Sequence, residues 1–127
     1  MKLFFTILLI TLSSASGFGQ QAEFSFIKSV HKFPKTKEGA VLSHYYVFKN
    51  TGKAPLTITS FSVECSCTEV SFPSYPIAPG QIDSVKVTFN TQGKYYSQER
   101  PVILTSNARK KETTILFKVF VEPKKDK

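Results

Sequence analysis

A chain of 127 residues has room for one domain and none for two. Its 17 Lys and Arg against 9 Asp and Glu give a formal charge of +8. The cations are spread in small groups (Lys32, Lys35, Lys37; Arg109, Lys110, Lys111; Lys124, Lys125, Lys127), which excludes the concentrated patch of a nucleic-acid face and fits a solvated surface.

Met1-Lys2 is a short positive start, and Leu3 to Leu12 is an almost unbroken apolar run. Small residues from Ser13 to Gly17 follow. This three-part layout is that of a secretory signal peptide, and the run is too short for a bilayer span, which needs about 20 apolar residues. Small side chains before a cut occur at Ser13-Ser14-Ala15 and at Gly17-Phe18-Gly19. Gly17-Phe18-Gly19-Gln20 resembles the leader endings of exported Bacteroidetes proteins, so residues 1–19 are expected to be removed. Losing Lys2 leaves 16 cations against 9 anions, or +7. No Cys lies near the cut and no second apolar stretch follows. The mature chain is expected in the periplasm or outside the cell, with no lipid anchor and no stable membrane insertion.

The remainder reads as strands and turns. Phe24 and Phe26, two apart, mark a first strand over 23–27. Pro34 to Gly39 reads as a polar turn. Residues 40–50 form a long strand with Leu42, His44, Tyr46 and Phe48 on one face. Val41, Tyr45 and Val47 are also apolar, so its second face is expected to be covered in part. Asn50-Thr51-Gly52-Lys53 is a turn signal, and Pro55 precedes a strand over 56–63. Leu56 and Ile58 share one phase there while Phe61 and Val63 share the other, which predicts a bulge near Thr59-Ser60. Cys65-Ser66-Cys67-Thr68 falls at the strand end or in the next loop, and Pro73, Pro76, Pro79 and Gly80 break regular structure. Residues 82–90 alternate again, with Val85, Val87 and Phe89 in phase. After Thr91-Gln92-Gly93-Lys94 comes a strand over 95–106 in which Pro101 predicts an edge or a bulge. Residues 113–121, with Ile115, Phe117, Val119 and Val121 in phase, close the fold, and 123–127 reads as a disordered tail. Six or seven short strands, with no sustained helical period, predict an all-β fold: an immunoglobulin-like β-sandwich of about seven strands over 20–122.

Leu42-x-His44-x-Tyr46-x-Phe48-x-Asn50-x-Gly52, Ala54-Pro55-Leu56-x-Ile58, Cys65-x-Cys67-Thr68, Pro76-Ile77-Ala78-Pro79-Gly80, Val87-x-Phe89 and Ser106-Asn107-Ala108 together form a distinctive string. It resembles the bacterial domain of unknown function 1573 family, frequent in exported Bacteroidetes proteins, over Phe24 to Val121. That resemblance implies an immunoglobulin-like domain of the pilus-chaperone and sperm-protein type, which mediates protein contacts and carries no accepted activity. Two places depart from the pattern. Glu64 and Ser66 flank Cys65 where the family has Ser and Gly, and Lys94 to Ser97 lacks the usual Gly-x-Phe.

Cys65 and Cys67 are the sharpest chemical feature. Two apart in an extended segment, their thiols face the same way. They could form a local disulfide or pack as two small apolar groups. They could also be a redox-active pair, ligate a soft metal such as Cu(I) or Zn²⁺, or bond to another chain. A closed zinc site wants four ligands, and only His31 and His44 could add nitrogen. His44 lies on an apolar strand face, which suits a satisfied core histidine better than a ligand. No phosphate loop, His-Glu-x-x-His or Gly-x-Ser-x-Gly occurs, and no poised carboxylate pair stands out. The expectation is a non-enzyme without a cofactor: an interaction or structural module that meets an unidentified envelope or extracellular protein. A thiol redox or soft-metal protein built on Cys65-Ser66-Cys67 is the alternative.

Overall fold

The computed structural model describes residues 20–125; the expected leader and Asp126-Lys127 of the expected tail lie outside the described residues. Nine strands follow in order: β1 (Phe24–Phe26), β2 (Val30–Lys32), β3 (Thr36–Lys37), β4 (Val41–Asn50), β5 (Ile58–Val63), β6 (Thr68–Ser71), β7 (Ile82–Asn90), β8 (Tyr96–Ser106) and β9 (Glu112–Glu122). Helices are absent among the described residues. One sheet has the order β1-β4-β7-β6 and the other β2-β9-β8-β5, with β3 also on β9. The two sheets form the immunoglobulin-like sandwich that the alternation predicts.

Alternation is the cause. In β4 and β7 the pairs Tyr46↔Val85, His44↔Val87 and Leu42↔Phe89 turn the same phase inward. In β8 and β9 the inward set is Val102, Leu104, Ile115, Phe117, Val119 and Val121, all buried. Phe89 of one sheet meets Phe117 of the other at 4.9 Å between ring centroids. Tyr46 reaches across the sandwich to donate its hydroxyl to the Leu116 carbonyl at 2.8 Å, which satisfies a phenol whose pKa burial pushes well above its ordinary value. The bulge lies where the phase break puts it. The β5–β8 register shifts between Ile58 and Ser60, so Phe61 and Val63 rejoin the inner face opposite Leu104 and Val102.

Four details differ from the sequence reading. The second face of β4 is open, with Val41 61% and Tyr45 57% exposed; Lys86 lies over the Tyr45 ring at 5.5 Å. The stretch read as one polar turn holds β3. Together with β2 it runs parallel to β9, so the chain leaves the first sheet after β1 and joins the second. A short β6 precedes Pro73 and pairs with β7. Pro101 belongs to an interior strand, but the β5 ladder ends at Val63↔Val102, so Pro101 has a neighbour only on its β9 side. In the expected tail, the Lys124 N–H donates to Glu38 Oε1 at 3.1 Å.

Candidate functional site

Cys65 and Cys67 lie in the loop between β5 and β6 and are joined as a disulfide, Cα to Cα 5.2 Å. The loop is a tight turn. Thr68 N–H donates to the Cys65 carbonyl at 3.1 Å, and Asn90 N–H, at the end of β7, donates to the Cys67 carbonyl at 2.9 Å. Within the turn, Cys67 N–H points at Cys65 Sγ at 3.2 Å. Both cysteines are half-buried and Ser66 is exposed. They form one wall of an open groove of about 330 Å³, with Glu69, Gln92 and Lys94 along it.

As a staple this bridge is weak. Closing three residues removes chain entropy worth about 1.6 kcal/mol, against about 3 kcal/mol for a 15-residue loop. Its two ends belong to one turn that backbone hydrogen bonds already fix. Reducing the pair, or replacing both cysteines by serine, is therefore expected to lower the unfolding free energy by no more than about 2 kcal/mol, read from the urea midpoint with and without reductant.

The sequence grouped His44 with the cysteines as a weak metal candidate. In the structure the sulfurs are bonded to each other and offer no thiolate, while His44 stacks on His31 with centroids 3.5 Å apart and planes 6° from parallel. His31 is on β2 and His44 on β4, so the pair bridges the two sheets. His44 also meets Tyr46 edge-on at 4.8 Å, and His31 meets Phe33 at 4.5 Å. Among the described residues no group of three or more His, Cys, Asp or Glu is placed to hold a metal ion.

Partial burial, then the charge of Lys28, hold the His31 pKa below its ordinary value. For His44 burial comes first, then His31, then Lys28. Both shifts favour the neutral rings in the folded state. The unfolded chain takes up protons first as pH falls, near the ordinary value of about 6.5. Stability is accordingly expected to be full above pH 6.5 and to fall as pH drops through the folded-state pKa values. His31→Phe should flatten this dependence, checked by denaturant midpoints at pH 7.5 and pH 5.

The flank that the disulfide loop spans is one of the two open sides of the sandwich, the other being that of β1 and β2. β5 ends one sheet and β6 ends the other, and each pairs with one neighbour only. Between them the apolar seam is incompletely closed: Phe61 is 41% exposed and meets Phe72 at 6.2 Å, while Val63, Val70 and Phe72 are only partly buried against the core. Sequence reasoning put Phe61 in phase with Val63 beyond a bulge but did not show that their face runs out at an edge. The register past the bulge carries that information.

Comparisons with known proteins agree with this geometry. A search of curated proteins returns no match. Among solved structures, a protein of unknown function from Porphyromonas gingivalis W83 superposes with a TM-score of 0.70 at 14% identity, over 80% of this chain and 48% of that one. This chain thus spans about half the length of that protein. The ASH/PapD-like domain 7 of human CEP192 superposes at 0.61, with 12% identity over 84% of this chain and 89% of that one. The E. coli chaperone DraB superposes at 0.56, with 11% identity over 83% and 57% of the two chains. At these identities the likeness is one of fold, and the fold is that of PapD-like immunoglobulin domains. The profile of a family described as protein of unknown function (DUF1573) matches residues 24–121, nearly all of the sandwich, and the chain belongs to that family.

Proposed function

We propose that this chain is an exported, non-catalytic interaction module of the cell envelope, and that it binds an extended segment of another protein along the β5 edge. The observation that carries this reading is the unfinished flank. A row of backbone N–H and C=O groups on β5 has no neighbour on its outer side, and the apolar Phe61 and Phe72 lie beside it. Natural sandwiches blunt such edges with charge, proline or bulges. Here the bulge comes early, at Thr59, and Ser60 to Val63 runs on without a charged side chain. An added strand would pair with that backbone and lay alternate side chains over the Phe61–Phe72 seam, the usual division of affinity and specificity in strand addition. Export is supported by the sequence of residues 1–19.

A photo-crosslinking side chain at Ser62, introduced in the native host, tests the edge. A discrete adduct is expected at Ser62 and none from the same probe at Ser84, on the outer face of the other sheet. Absence of a Ser62 adduct would overturn the edge reading. Intact mass of the protein from the envelope fraction is expected to begin at Gln20, and a chain retaining Met1 would overturn export.

A further inference from the structure

We propose that Cys65 and Cys67 form a dithiol–disulfide exchange site that accepts two electrons from a protein dithiol, a function beyond strand binding and independent of it. Accessibility comes first. The bridge is on a loop at the surface, half-exposed, in the wall of an open groove that a thiol-bearing loop of another protein can enter. Redundancy comes second. The pair joins residues two apart inside a turn already held by Thr68 N–H and Asn90 N–H, so opening it leaves both sheets and their ladders intact. The third point is polarity. Cys67 N–H donates toward Cys65 Sγ at 3.2 Å, which stabilises negative charge developing on that sulfur. Lys94 shares the groove and adds a positive charge that attracts an incoming thiolate.

Together these assign roles to the two sulfurs. A partner thiolate forms a bond to Cys67 Sγ, the Cys65–Cys67 bond breaks, and its electron pair leaves on Cys65 Sγ, the better-stabilised thiolate. The partner's second thiolate then attacks the partner sulfur of the mixed disulfide and expels Cys67 as a thiolate. The two protons lost by the partner thiols end on Cys65 and Cys67. The partner is oxidised to a disulfide, and this chain is reduced to a dithiol.

The test uses the folded mature chain without denaturant at pH 7, with reduced glutathione as the thiol and oxidised glutathione as the reference disulfide. The Cys65–Cys67 bond is expected to be attacked about tenfold or more faster than the reference, because its leaving thiolate is stabilised and the reference's is not. Acid quenching followed by peptide mass mapping is expected to find the mixed disulfide on Cys67. Lys94→Glu should slow attack by the anionic glutathione thiolate while leaving the denaturant midpoint unchanged. A pair that reacts no faster than oxidised glutathione, or opens only once the chain is unfolded, would overturn the proposal. A mixed disulfide on Cys65 would overturn the assignment of the attacked sulfur.

Discussion

Asn50→Ala is expected to destabilise the domain by about 3–5 kcal/mol, a large share of the roughly 5–15 kcal/mol typical of a native protein. Asn50 ends β4 with no exposed surface, and its amide uses its full capacity. Nδ2 donates to the Ala54 carbonyl at 2.8 Å and to the Ile77 carbonyl at 2.9 Å. Oδ1 accepts from Gly52 N–H at 3.0 Å and from Glu23 N–H at 3.2 Å. One side chain therefore ties together the turn after β4, the proline-rich loop before β7 and the segment entering β1. Alanine would leave four backbone groups without that partner; the Ile77 carbonyl keeps the Leu56 N–H at 2.8 Å, but the Ala54 carbonyl and the Gly52 and Glu23 N–H groups must find water or stay unpaired. Asn50→Asp is the informative companion. It keeps the acceptor role but sets carboxylate oxygens against two carbonyl oxygens, which raises the pKa of the new carboxyl in the folded state. Its deficit should then be largest at pH 7 and shrink as pH falls toward 4, as measured by urea titration at both values.

Gly52→Ala should be nearly as costly, at about 3–4 kcal/mol. The reason is space rather than a left-handed backbone. A Cβ on Gly52 would lie 2.6 Å from Glu23 N and 2.7 Å from Ala22 C, and it would overlap the Gln21 carbonyl oxygen. These are backbone atoms, so the segment leading into β1 must move. Moving it breaks Lys53 N–H to Gln21 O at 2.8 Å, Thr51 N–H to Glu23 O at 3.1 Å and Arg109 N–H to Ala22 O at 2.9 Å, and it uncovers the buried Ala22. Hydrogen exchange separates this account from a general loss of stability. The amides of Thr51, Lys53 and Arg109 should lose nearly all protection in the variant, while those of β7 and β9 lose only as much as the fall in global stability removes.

Much of this fold is legible in the sequence because long strands with one wet face repeat every second residue. Residues 82–90 and 113–121 show their inner sets directly, and even the bulge at Thr59 is written as a change of phase. Short strands leave no such record. Val30–Lys32 and Thr36–Lys37 present two or three residues each, and what makes them strands is β9 alongside, far away in the chain. The open face of β4 misleads for a related reason: apolar residues at both phases read as double coverage, yet Val41 and Tyr45 stay exposed. At the site, Cys65-x-Cys67 announces itself by composition, but its groove is assembled from β6 and from the turn after β7. His31 and His44 become a pair only because β2 has left the first sheet, and neither residue's neighbours in sequence hint at the other. Asn50 looks like an ordinary turn residue, since the atoms it satisfies come from three separate segments.

That early change of sheet also sets an order of assembly. β2 and β3 lie parallel to β9, so the beginning of the domain is completed by its end. A chain released from its N-terminus must deliver residues 112–122 before β2 has a partner and before Phe33 can pack on Phe117 between the sheets. Contacts so distant in sequence make for slow, late closure, on the order of milliseconds to seconds. Residues 30–37 therefore have no sheet to join until β9 is in place, which makes the start of the domain one of the last parts to be fixed.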